Sequence, residues 1–268
     1  MFEFRAIGAG YPSQLSIGSS RATQPIDRIF GRKQYLWVRY IFLSKQSTHL
    51  SLNFSSTEEK SRSLRSFRKG RLRVSIVNKR QFLPFDNNGT NFCGIPREQQ
   101  LQCFEAGDGR VNEQTELTVM HTIWMREHNR VAELLSQLNP GWNDEILYQE
   151  SRRIVCAQLQ HIIYNEFLPI IIGRNAMKKF SLFLTREGYS SSYSPDINVG
   201  ITSSFATAAF RLHTLIEGNI KLLNENNRVV ERLELKNQFN NPQILYKQKA
   251  LDLMVNGLTG QPIQHGLY

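Results

Sequence analysis

A chain of 268 residues, 40% of them apolar and 21% charged, is long enough to bury a sizeable core and too apolar to be a disordered tail. Its net charge of +10 is lopsided: residues 1–80 hold sixteen Lys/Arg against four Asp/Glu, and residues 81–268 hold seventeen against nineteen. The excess has no aromatic platform or known binding module beside it, which argues against nucleic acid and for a solvated basic face or arm.

Residues 1–55 show no sustained period and scatter Gly, Ser, Pro and Arg, so they read as a poorly ordered basic segment with a short strand at Tyr35–Leu43. That apolar run is brief and holds Arg39, so it cannot span a bilayer. The first residues lack a basic start followed by an apolar stretch, so no signal peptide is expected. Glu58 to Phe67 reads as a helix stopped by Gly70, and the alternation over Leu72–Ile76 as a strand. Residues 81–109 form a Pro/Gly/Asn-rich loop. Cys93 and Cys103 lie ten apart in it, a spacing that suits a disulfide, while Cys156 falls in an apolar helical pattern as a buried free thiol. Asn53 and Asn88 head glycosylation sequons, and Asn88, inside the cysteine loop, suits an extracellular surface better.

Ala106-Gly107-Asp108-Gly109 marks a tight turn, after which Leu117, Met120, Trp124, Val131, Leu135 and Leu138, with His128, recur on one face of a long helix. Arg110 and Glu113 therefore stand at the mouth of a rigid element, a good place to hold reactive groups still. A second long helix is capped by Asn143, favoured by Asp144 and Glu145 at its positive end, and runs to Pro169 near Gly173. Tyr148, Ser151, Val155, Leu159 and Ile162 form its inward face. Residues 174–203 read as loop. A third helix spans about Ser204 to Glu217, with Phe205, Ala209, Leu212 and Ile216 in register, and a fourth runs from Asn241-Pro242 to near Gly257. The expected architecture is mainly α with little β structure.

The blocks AGDGRVNEQ, ELTVMHTIWMREHNR, NPGWNDEILYQESRRIV, QHIIYNEFLPIIIG, FATAAFRLHTLIEGN and MVNGLTGQPIQ, in this order, resemble the animal haem peroxidase family. The resemblance covers about residues 56–264 and implies a partial helical haem peroxidase core over residues 56–268. It implies haem b as cofactor, with His213 as axial iron ligand. Taken alone, a histidine beside Ala206, Ala208 and Ala209 reads as a core residue, and the family block reverses that reading. Arg110 falls on the family's distal arginine, which polarises bound peroxide, and Glu113 on the glutamate that can form an ester to a haem methyl group. Alone, Arg110 reads as a surface arginine paired with Asp108 or Glu113, and Glu113 as a first-turn acid favoured by the helix dipole. Gln114 stands where some members carry a sulfonium-forming methionine, so no sulfonium link is implied. Arg211 matches the arginine at the haem edge, yet one residue separates it from His213 where the family has two. In a regular helix that spacing puts the two on different faces, so either the helix bulges or the haem contacts change.

Three family features are not found: the distal histidine in its QxxDHD context, the calcium loop, and the asparagine that orients the proximal histidine. The chain is thus expected to be incomplete at both ends. His121, His128 and His161 are expected to be structural, since a spacing of seven positions between the first two does not suit a helical zinc pair. The partners implied are hydrogen peroxide and a small or phenolic electron donor, without nucleic acid or a membrane span, and the family implies a secreted protein. Two functions stand open: a haem-dependent peroxidase, incomplete and weak as written, or a non-catalytic fragment or interaction module that keeps the helical core. Soret absorbance separates them.

Overall fold

The structure, a computed structural model, describes residues 58–87, 89, 93–95, 101–185, 188, 194–196, 202–209 and 213–264. The expectations for residues 1–55, for Asn88 and for Arg211 lie outside these residues.

The described part is mainly α, as expected. Helix α1 (Glu58–Ser63) leads into an antiparallel hairpin, β1 (Ser75–Val77) with β2 (Arg80–Phe82). Next come α2 (Thr115–Leu138) and α3 (Asp144–Ile162). A wide π-turn (Ile163–Phe167) follows, then α4 (Leu168–Ile171) and α5 (Gly173–Lys179). A second hairpin pairs β3 (Asn219–Leu223) with β4 (Val229–Glu234), and α6 (Ala250–Gly260) closes the order. No helix among the described residues is long and apolar enough to cross a membrane.

Helix α2 is the axis. Gln114 caps it, its side-chain oxygen accepting from Glu116 N at 2.7 Å. The expected row of Leu117, Met120, Trp124, His128, Val131 and Leu135 is buried, but Leu138 is 70% exposed, because the helix passes the edge of the core before it ends. Thr115, Thr118, Val119, Thr122 and Met125 are buried too, so the first half of α2 is enclosed on all sides. Helix α3 packs along it through Tyr148, Ser151, Val155 and Ile162. Under the N-terminal end of α2, Phe104 stacks near Phe82, Phe85 and Tyr246 with ring centroids 5.7, 5.9 and 6.0 Å away.

Several local expectations are corrected. The helix at 58 stops at Ser63, and the strand lies at Ser75–Val77 rather than Leu72–Ile76. Leu72 instead bridges Arg65 across a separate hairpin whose turn, Phe67 to Gly70, carries left-handed backbone at Phe67, Lys69 and Gly70. Helix α5 occupies the start of the expected 174–203 loop. Within the third expected helix, Ser203 and Ser204 are helical, a π-turn (Phe205–Ala209) follows, a 3-10 turn (His213–Leu215) lies beyond residues 210–212, and Phe205 is 43% exposed rather than inward. Thr202 and Ser203 explain part of this: Phe205 N and Thr207 Oγ1 bond to them at 3.4 and 2.7 Å, competing with regular helix bonds. The fourth helix is split, with a 3-10 turn (Pro242–Tyr246), then Lys249 in left-handed conformation, then α6. Tyr246 causes the break: its hydroxyl donates to Gln102 O and its carbonyl accepts from Asn78 Nδ2, which holds it away from a helical path.

The MVNGLTGQ block is a docking surface for β3. A Cβ on Gly257 would lie 2.0 Å from Lys221 O, so only glycine allows this approach. The Gln261 side chain accepts from Lys221 N and donates to Glu217 and Asn219 O.

Candidate functional site

The turn before α2 assembles the first half of the site. Asp108 accepts three hydrogen bonds from Arg110: from the backbone N at 2.9 Å, Nε at 3.0 Å and one terminal nitrogen at 2.6 Å. Burial works against the Asp108 charge, but the bonds from the Arg110 side chain and backbone outweigh it and hold the carboxyl below its usual range. The guanidinium is fixed at its root while 48% of the side chain stays exposed. The pairing with Asp108 that its sequence neighbours suggest is therefore present. It does not remove Arg110 from the surface, and a bidentate fork fixes its direction.

Glu113 follows on the same turn. Its N donates to Arg110 O at 2.8 Å, and its O accepts from Asn240 N at 3.0 Å. Carboxylate oxygen Oε2 is buried without a hydrogen-bond partner among the described residues. A buried acceptor left unpaired costs about 1–3 kcal/mol, so this oxygen is one that a ligand could satisfy. Residues 239–241 brace the turn from the other side: Phe239 bridges Gln114, and Thr115 Oγ1 donates to Asn241 O at 3.4 Å. Gly94 N, beside the disulfide loop, donates to Asn240 O at 2.6 Å.

The expected Cys93–Cys103 disulfide is formed, with Cα atoms 5.8 Å apart. Cys156 is free but only partly buried, and burial raises its thiol to about 11.

Sequence reasoning passed over His121 as structural. Its Nδ1 donates to Leu117 O at 2.8 Å, which leaves Nε2 as a bare acceptor, buried and without a described partner. Burial lowers its basicity, and both Asp108 and Arg110 act on it electrostatically. The signal was its place four residues after Leu117 on the face of α2 that meets the turn. His128 is structural as expected: Nε2 donates to Gly70 O at 2.9 Å and the ring tilts against Tyr148. His161 is exposed beside Asn165.

The second half comes from the chain after residue 213. His213 is exposed and begins the 3-10 turn, its carbonyl accepting from Ile216 N at 3.1 Å. Leu215 O accepts from Gln264 N at 2.8 Å, so the turn is tied to the segment after α6. The π-turn at Phe205–Ala209 is a widened stretch of helix upstream of the Arg211–His213 spacing. An exposed imidazole, a fixed and half-exposed guanidinium and a buried carboxylate oxygen with no hydrogen-bond partner among the described residues are groups of the kind a haem could engage.

Comparison with known proteins places the chain. The family model for animal haem peroxidase matches residues 49–266, beginning slightly before the resemblance read from the sequence. Chorion peroxidase of Drosophila melanogaster is 42% identical over 213 residues, covering 79% of this chain and 26% of its own length. The peroxidasin homolog of Homo sapiens is 40% identical over 215 residues, covering 77% of this chain and 14% of its own. Among solved structures, peroxidase A from Dictyostelium discoideum superposes with a TM-score of 0.67 at 26% identity, over 80% of this chain and 39% of that one. An Oryza sativa fatty acid alpha-dioxygenase shares the fold, with a TM-score of 0.53 at 17% identity. The chain thus spans about a quarter or less of the length of these curated relatives. The chain belongs to the animal haem peroxidase family.

Proposed function

We propose that the chain is a haem-dependent peroxidase domain over residues 56–268, preceded by a basic segment at 1–55, which takes hydrogen peroxide and a small or phenolic electron donor. The observation that carries this reading is the unpartnered, buried Glu113 Oε2 on the same turn as the Asp108-held Arg110. Haem b, when bound, supplies the iron at which peroxide is reduced. His213 would be its axial ligand, Arg211 would meet its edge, and Glu113 would be the position for an ester to its periphery. The disulfide supports a secreted protein, and Asn88 would carry a glycan there.

Arg110 contributes fixed positive charge where charge develops on the peroxide oxygens, and Asp108 keeps it aimed. It cannot be the base that moves the peroxide proton, because a guanidinium stays protonated, and the Asp108 pairing raises its pKa further. The family's distal histidine block is not found in residues 1–55, where His49 is the sole histidine. General acid–base assistance is worth about two to four orders of magnitude, so residues 1–268 by themselves are expected to turn over weakly. The test is a steady-state assay with hydrogen peroxide and guaiacol on haem-loaded protein beside a full-length relative. Turnover within about tenfold of that enzyme means another group replaces the base, and His49 is the first to substitute. For the ligand, His213→Ala should abolish the Soret band, while His121→Ala and His128→Ala should keep it.

A second reading, an interaction module without chemistry, is favoured by exposed Ile170, Ile171, Ile172, Phe180, Phe183 and Leu184 around α4 and α5. It predicts no Soret absorbance after haem reconstitution.

A further inference from the structure

Residues 60–80 carry nine Lys/Arg and no Asp/Glu, and the proposed peroxidase function uses none of them. They are not a loose arm. The hairpin closed by the Arg65–Leu72 bridge is bolted to α2 and α3. Gly70 N donates to Asp144 Oδ1 at 2.6 Å, and Gly70 O accepts from His128. Leu72 N donates to Asn129 Oδ1 at 2.7 Å, and Asn129 Nδ2 donates back to Leu72 O. Arg65 is buried under the turn and grips Asp144 and Glu145.

These anchors force Phe67 and Lys69 into left-handed backbone, which a bulky residue adopts only when its surroundings impose it. The result is a rigid ledge that presents Phe67, 53% exposed, with Arg68 and Lys69 at its tip. Arg62 and Arg73 are exposed beside it, with Arg71 half-buried. Several of these cations are already paired: Glu133 is shared by Lys69 and Arg71 at 3.3 and 3.6 Å, Glu58 stands 3.9 Å from Arg62, and Lys60 and Arg80 pair with Glu105 and Asp252. Beneath the ledge a cleft of about 290 Å³ runs between α1 and α3, where Arg62, Arg65, Phe67 and Arg152 line it together with the carboxylates of Glu58 and Glu145.

We propose that this ledge is a docking site for a sulfated polysaccharide of the glycosaminoglycan class. Rigidly held guanidinium and ammonium groups match a chain of sulfates without a further ordering cost. The Arg65 guanidinium lies 4.9 Å from the centre of the Phe67 ring and covers one face, the half-exposed remainder of the ring offers apolar surface to a sugar, and the cleft gives one sulfated sugar a place to enter. The disulfide suits an oxidising compartment, where such polysaccharides occur. The inference is independent of haem and of peroxidase turnover.

The experiment is fluorescence anisotropy of a labelled heparin hexasaccharide with the full chain at about 0.15 M salt, where exposed charges interact only at short range. Saturable binding that weakens as salt rises is expected. Arg68→Glu with Lys69→Glu should weaken it about 30-fold or more, a shift of about 2 kcal/mol. Reversal of two exposed cations in the turn of the β3–β4 hairpin and just past its end, Arg228→Glu with Lys236→Glu, changes net charge equally and should cost less than about threefold. Phe67→Gly suits the left-handed position and removes the ring, so a loss of about fivefold is expected at unchanged circular dichroism. If the reversed pair does not fold, Arg68→Gln with Lys69→Gln replaces it. Equal losses for the two charge-reversal pairs overturn the proposal, as does equal binding of desulfated heparin. Tighter binding of a single-stranded RNA of matched charge overturns the choice of partner.

Discussion

Gly70 is the point where the hairpin touches α3, and its replacement by alanine tests how the fold is held. Its φ of +67° is left-handed, which costs an alanine about 1–2 kcal/mol. The added Cβ would lie 2.4 Å from Tyr148 N and 2.6 Å from Leu147 C. Both are helix backbone and cannot swing aside. The hairpin must therefore retreat by about 1 Å to restore ordinary contact. Retreat breaks the Gly70 N–Asp144 bond, worth about 1.5–3 kcal/mol because the acceptor is charged. The expected loss for Gly70→Ala is about 3–5 kcal/mol. Gly173→Ala is the control, with φ +75° and nothing within 4 Å of the new Cβ, so strain alone applies, about 1–2 kcal/mol. Urea unfolding followed by tryptophan fluorescence gives both values, with Trp124 in the core as reporter. Equal losses for the two variants would mean that the contact with α3 contributes nothing, and the reasoning fails.

Acid should destabilise the fold through its buried histidines. Burial lowers His128 to about 4, against the bond to Gly70 O and with help from nearby Arg65 and Arg152. Between about pH 6.5 and 4 the unfolded chain binds a proton on this group that the folded chain refuses, so stability falls as pH falls. From pH 7 to 5 His128 alone should cost about 2 kcal/mol, and His121, lowered by burial as well, adds in the same direction. Asp108, whose folded carboxyl is depressed, loses its contribution only below that window, as pH falls toward about 4 and under. His128→Gln should flatten the stability slope over pH 5–7, and an unchanged slope would refute the assignment. The turn between β1 and β2 gives a stabilising change: Asn78 and Lys79 both have positive φ, and Val77 pairs with Arg80 across them. Lys79→Gly should add about 0.5–1 kcal/mol and raise Tm by about 2–4 °C, while a lower Tm would count against the turn reading.

Where local chemistry decides, the sequence is legible. The Asn143 cap, the buried row of α2 from Leu117 to Leu135, the inward face of α3, the tight turn before Arg110 and the Cys93–Cys103 pairing follow from spacing, capping and loop length. The family blocks also marked which residues to examine, because each is a short run whose order along the chain is itself informative. The β3–β4 hairpin was missed, since Asn224 to Asn227 is a turn of a kind that also occurs in loops, and its strands gain their meaning only against α6. The helix expected at Ser204–Glu217 is widened at its start, where short side-chain bonds compete with the backbone, and the one at Asn241 is split by the grip on Tyr246. The site divides along the same line. Sequence places Arg110, Asp108 and Glu113 on one turn, because they are within five residues of each other. Only the tertiary structure decides that Glu113 Oε2 is buried without a hydrogen-bond partner among the described residues, and that His121 Nε2 is buried near the charges of Asp108 and Arg110. Burial is a sum over segments far apart in the chain, such as 239–241 closing over 113–115, and no local pattern contains that sum.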